Sequence, residues 1–155
     1  MPAGGAWARA ALVMAAVIVL DQGTKALVRA NVALGDRDGI FPGVELVHVR
    51  NEGVAFSRFS GGGTVVSVIV GAALLALMAY FVTHLDKPLV WLPTGMLIGG
   101  ALGNVIDRVR DGAVTDFIKL PGWPAFNVAD ISITFGVLVL LYVTERPRNA
   151  AASDA

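Results

Sequence analysis

The sequence predicts an all-α membrane protein with four transmembrane helices, and three observations carry that reading. Apolar residues make up 55% of the 155-residue chain and charged residues only 15%; soluble domains usually carry about 25% charged residues. The mean hydropathy is +0.69. The apolar excess is gathered into four runs instead of being spread along the chain. The length suits a single domain over residues 1–155.

A spanning helix needs roughly 20 mostly apolar residues. The first run has a core of only 11 residues, Ala10 to Leu20. It becomes long enough if the helix starts near Trp7 and continues past Asp21 and Lys25 to about Val28. A cleaved signal peptide is the rival here, because Arg9 precedes the apolar core. The "DQGTK" that follows offers no small-x-small cleavage site, which favours a retained helix. A long loop then spans residues 29 to 64. Within it "GVELVHV" alternates as a short strand, and "GDRDG", "FPG" and "SGGG" read as turns. The second helix, Val65 to Val82, is 18 uncharged residues. The short link "THLDKP" leads to the third, Leu89 to Ile106, another 18 residues interrupted by Pro93. A second long loop holds "RVRDGAVTDFIKLPGWP". The fourth helix, from about Ala125 to Thr144, reaches 20 residues only by including Asn127 and Asp130.

Four spans place both termini on one side and both long loops on the other. Arg9, Lys87, Arg146 and Arg148 fall on the terminal side. Arg29, Arg37, Arg50, Arg58, Arg108, Arg110 and Lys119 fall on the loop side, with Lys25 at the helix end. By the positive-inside rule this balance puts the termini outside.

Net charge is zero, so nothing points to nucleic acid. The absence of cysteine excludes disulfides, thiolate metal sites and a cysteine nucleophile. His48 and His84 stand apart, and there is no His-Glu-x-x-His or Gly-x-Ser-x-Gly. No metal and no cofactor is expected.

The polar residues on the loop side are therefore the candidates. Asp21 and Lys25, four apart on one helical face, suit a structural ion pair. Gly95, Gly99, Gly103 and Asp107 form one stripe of the third helix, where another helix can approach closely. Asn104 and Arg108 share a neighbouring face. They fit a polar network and a substrate contact equally well. Asn51 and Gly53 suit a turn beside the strand. Asp130 could be stabilised at a helix N-terminus with Asn127 as its cap, but that leaves Asp116 in "VTDFI" unexplained. Two carboxylates in a poorly hydrated site share a proton, and such a pair can activate water against a peptide bond. Intramembrane acids also mark ion pathways, and a structural four-helix subunit is a further alternative.

"DQGTK", "RNEGVAFS", "GGALGNVIDRV", "VTDFI" and "FNVADI" together resemble, in order and spacing, the bacterial lipoprotein signal peptidases, or signal peptidase II. The resemblance covers roughly residues 8–144; the tail 145–155 is unmatched and expected to be cytoplasmic and disordered. Val54 stands where the family often has Ala. The resemblance implies four transmembrane helices with a small extracytoplasmic β-cradle and a short loop helix. It implies an aspartic endopeptidase that cuts diacylglyceryl-modified prolipoproteins just before the lipid-modified cysteine. Asp116 and Asp130 match the catalytic pair. Asn51, Gly53, Asn104, Asp107, Arg108, Asn127 and Ala129 match pocket or substrate-holding positions, and Asp21 and Lys25 a supporting pair. It also implies the bacterial cytoplasmic membrane, both termini cytoplasmic, the site at the outer leaflet, and inhibition by cyclic peptide antibiotics of the globomycin type. On this reading "GVELVHV" cradles the substrate and "VTDFIKLPGW" is a movable flap.

Overall fold

A computed structural model of the chain describes residues 3–52, 62–85 and 87–145. Gly53, Val54, Arg58 and the tail from residue 146 lie outside the described residues. Helix α1 runs unbroken over Ala3–Asn31, straight through Asp21 and Lys25. It is followed by strands β1 (Arg37–Phe41) and β2 (Val44–Asn51), helix α2 (Gly62–Thr83), helix α3 (Trp91–Asp111), strand β3 (Val114–Lys119) and helix α4 (Val128–Glu145). The molecule is thus mostly helical with one small sheet. No short loop helix occurs among the described residues.

Among those residues, Gly4–Asn31 and Val128–Glu145 are long and apolar enough to cross a membrane. Over an apolar 18-residue window only 17% of the first and 22% of the second is buried, unlike the mostly buried core helix of a soluble protein. Their uncovered side chains include Leu12, Val19, Leu27, Phe135, Leu138 and Leu141, an outward-facing apolar surface suited to lipid.

The glycine stripe is where α3 meets α1. A Cβ at Gly95 would sit 2.6 Å from the Ala10 carbonyl oxygen, and one at Gly99 would sit 2.9 Å from that of Met14. One turn on, a Cβ at Gly103 would lie 2.6 Å from the Asp21 carboxylate. Gly100, on the adjoining face, does the same for α4, where a Cβ would sit 2.6 Å from the Ala129 oxygen. Small residues therefore let two helices close on α3 at once. α3 ends at Gly112, whose left-handed backbone (φ 74°) turns the chain into β3 while its N–H donates to the Arg108 oxygen.

The sheet is antiparallel in the order β1-β2-β3. Only β2 was expected as a strand. β3 lies within the expected flap "VTDFIKLPGW": Val114–Lys119 pairs with β2, with a register shift between Leu46 and Val49. It is also pinned on its other side, where Ile118 and Phe126 form a bridge with N–H to O distances of 2.9 and 3.0 Å. The segment between them is thereby closed into a loop.

Candidate active site

That Ile118–Phe126 bridge is the local reason for the site. Antiparallel closure brings Asn127, the residue after Phe126, back alongside β3 near Asp116, and α4 begins at the next residue. Asn127 then serves two elements. Its Oδ1 accepts from the Asp130 N–H at 3.0 Å, and its own N–H donates to Asp130 Oδ2 at 3.2 Å. This is a reciprocal cap on the first turn of α4. With Oδ1 committed to the cap, Nδ2 is left facing β3, and it donates to Asp116 Oδ1 at 2.7 Å. One fully buried asparagine thus holds both carboxylates.

Asp116 itself is buried in the middle of β3. Its second oxygen accepts from Asn51 Nδ2 of β2 at 2.9 Å. Burial pushes the Asp116 carboxyl up from 3.8 to about 6. The Asn51 amide bond lowers it, the nearby Asp130 charge raises it, and the Asn127 amide bond and the Lys25 charge lower it. Asp130 is half-buried and accepts from Asn104 Nδ2 at 2.9 Å.

Beneath the pair lies a buried ion cluster. Lys25 Nζ lies 2.8 Å from Asp21 Oδ2 and 2.9 Å from Asp107 Oδ2, and it donates to Asn104 Oδ1 at 3.0 Å. Three acceptors use the three ammonium N–H groups, which is what a fully buried lysine requires. Each carboxylate also reaches another element. Asp21 Oδ1 accepts from the Ala129 N–H of α4 at 2.9 Å, close to the positive end of that helix. Asp107 Oδ2 accepts from the Thr115 N–H of β3 at 3.1 Å. The cluster therefore fixes α1, α3, α4 and β3 relative to one another.

Most of the expected residues converge. Asp21, Lys25, Asn51, Asn104, Asp107, Asp116, Asn127, Ala129 and Asp130 lie in one connected network. Arg108 joins it only at the rim; it is exposed, and Nη1 donates to the backbone oxygen of Asn104, one turn earlier in its own helix, at 3.3 Å. Three participants were not singled out from sequence. Gln22 Nε2 donates to Asp107 Oδ1 at 2.9 Å and to the Gly103 oxygen at 3.0 Å. Arg29 Nη1 donates to Thr115 Oγ1 at 3.1 Å and lies 3.9 Å from Asp107. Gln22 stands inside "DQGTK", next to a residue that was singled out, so the motif itself was the available signal. Arg29 and Thr115 gave no signal of their own.

The sequence model of the signal peptidase (SPase) II family matches residues 13–145, a stretch that contains every residue of this network. The chain belongs to the signal peptidase II family. Lipoprotein signal peptidases from other organisms match it over most of their length. The protein from Moorella thermoacetica is 39% identical over 128 residues, covering 81% of this chain and 85% of that one. The protein from Dehalococcoides mccartyi is 40% identical over 147 residues, covering 88% and 90%. Two solved structures of bacterial membrane enzymes are similar throughout. One has a TM-score of 0.76 at 32% identity, covering 88% of this chain and 92% of that one. The other has a TM-score of 0.79 at 30% identity, covering 94% and 93%. The signal peptidase II match thus spans the helices, the sheet and the network together.

Proposed function

We propose that this signal peptidase II chain is an aspartic endopeptidase that removes the signal peptide from prolipoproteins. Its substrate is the diacylglyceryl-modified precursor, cut just before the lipid-modified cysteine. The observation that carries the reading is Asn127 holding Asp116 and Asp130 to one point at the end of the bundle. An ion pathway needs acids in series across the membrane; here they converge on one place.

The pair works with one proton between its carboxyls, a state favoured by the raised Asp116. The ionised carboxylate takes a proton from a water molecule, and the water oxygen bonds to the scissile carbonyl carbon. The protonated carboxyl donates to the carbonyl oxygen as negative charge gathers there. Collapse of the tetrahedral intermediate breaks the C–N bond, and the leaving nitrogen takes a proton from the pair. A lipid-tethered peptide needs polar partners for its exposed backbone groups. Asn51, the exposed last residue of β2, and Asp130, half-buried, are accessible to such a backbone.

All four helices span the bacterial cytoplasmic membrane on this reading, with both termini cytoplasmic and the Asp pair at the outer leaflet. The basic residues that tipped the charge balance the other way include structural ones. Lys25 is buried in the ion cluster, and Arg29 and Arg50 are bonded around the end of α3. The test is cleavage by the purified chain in detergent. A diacylglyceryl-modified precursor should yield a shorter product and the unmodified precursor none, with a globomycin-type cyclic peptide blocking the reaction. No cleavage of the modified precursor would leave the ion-pathway alternative standing.

A further inference from the structure

The far end of the sheet carries a second feature, separate from the Asp pair. A cleft of about 340 Å³ is lined by Arg37, Phe41, Glu45, Lys119 and Pro121 among others. Glu45 and Lys119 are cross-strand partners, with Gly39 opposite Glu45 on β1, so the Glu45 and Lys119 side chains share a face of the sheet. On β3 that face includes residues that contact α1. Thr115 bonds Arg29, Phe117 packs on Val28 and Val32, and Lys119 is next by alternation. Helix α1 ends at Asn31, and Lys119, beyond the Thr115 and Phe117 contacts, is only partly buried.

The cleft's surroundings fit that position. β1 is the free edge of the sheet and all five of its residues are exposed. Phe41 is 70% exposed and Ile40 52%, and Trp123, just after β3, is 63% exposed. Large apolar side chains at a membrane exit, together with cations, are the pattern of an interfacial belt. Neither Arg37 nor Glu45 has a side-chain hydrogen bond or ion pair among the described residues, while Lys119 Nζ donates to the Trp123 oxygen, which leaves two of its N–H groups for a ligand.

We propose that this cleft is a phospholipid-headgroup site that seats the sheet on the leaflet. The phosphodiester lies between Arg37 and Lys119, and Glu45 accepts from the headgroup's amine or hydroxyl groups. Phe41, Ile40 and Trp123 enter the lipid beside it. The inference rests on the membrane setting and not on peptidase chemistry, so the two can fail separately.

The test is native mass spectrometry of the unmodified chain released from mixed phosphatidylethanolamine, phosphatidylglycerol and phosphatidylcholine. One phospholipid should be retained, with the first two favoured over phosphatidylcholine, which has no headgroup donor. Retention should fall about fivefold for each charge removed in Arg37→Gln and Lys119→Gln. Cleavage in detergent should stay unchanged in both, since neither residue touches the Asp pair. In a Trp7→Phe/Trp91→Phe chain in vesicles, Trp123 emission should be quenched by brominated lipid and shielded from aqueous iodide. Three results would each overturn the proposal. They are retention unaffected by Arg37→Gln/Lys119→Gln, Trp123 open to iodide but not to bromolipid, and a lipid-free dimer that the same double substitution dissociates.

Discussion

Lys25 Nζ donates to Asn104 Oδ1 at 3.0 Å, and this bond joins the buried ion cluster to the carboxylate pair. A lysine only donates, so it fixes which end of the Asn104 amide faces it. The other end, Nδ2, is thereby aimed at Asp130, 2.9 Å away. Asn127 Nδ2 also donates to Asn104 Oδ1, at 3.1 Å. The position of the reacting groups is set from below by a charge that never meets solvent.

Replacing Lys25 tests that support. Lys25→Met leaves Asp21 and Asp107 buried without their cation and should cost about 3–5 kcal/mol. Thermal unfolding in detergent should show the loss. Adding Asp21→Asn to the same chain should recover part of it.

Asn127 has two separable duties. Asn127→Ser keeps an oxygen able to cap α4, but it leaves Asp116 and Asn104 without their buried amide donor and should cost about 1–3 kcal/mol in stability. It loses the amide bond to Asp116, and cleavage should fall about 100-fold. A cleavage rate equal to the parent's would mean that the cap is its whole role.

Two glycines should respond in opposite ways. At Gly95 a Cβ would lie 2.6 Å from backbone, while at Gly23, also helical, nothing lies within 4 Å. Gly95→Ala should push α3 from α1 and cost about 1–3 kcal/mol. Gly23→Ala should be neutral or stabilise by about 0.5–1 kcal/mol. Paired melting curves in one detergent read both.

Asp116 gives a pH signature. Its folded pKa is raised from 3.8 to about 6, so between those values the folded state holds a proton that the unfolded state has lost. Stability from this group is therefore lost as pH rises through that window, and the full cost is present above it. The gross cost is about 3 kcal/mol. Asn at this position can accept only one of the two amide bonds, which offsets about 1–2 kcal/mol. Asp116→Asn should thus be about 1–2 kcal/mol more stable than the parent at pH 7.5. That advantage should be gone at pH 4. An Asp116→Asn chain less stable at both pH values would contradict the raised pKa.

How much was legible follows from how each feature is encoded. The helices, the Asp21–Lys25 pair and the Gly95–Asp107 stripe rest on local periodicity, and they fall where the spacing put them. β1 and β3 carry no period-two signal. Every residue of β1 is exposed, and the first four of β3 are all buried, so neither alternates. β3 therefore stays hidden within the expected flap "VTDFIKLPGW". Gln22 and Arg29 find their partners more than 80 residues away, Asp107 and Thr115, through helix packing that no local pattern encodes. Arg108 shares a sequence face with Asn104, yet one turn further on, near the helix end, its side chain is exposed while Asn104 is buried.

The central claim is that Asp116 and Asp130 together perform the cleavage. The most direct measurement is the rate at which Asp116→Asn and Asp130→Asn cut a diacylglyceryl-modified precursor in detergent, with melting curves to establish that each is folded. Each substitution should lower the rate at least about 1,000-fold. A folded Asp116→Asn or Asp130→Asn chain that cleaves at the parent rate would contradict the account.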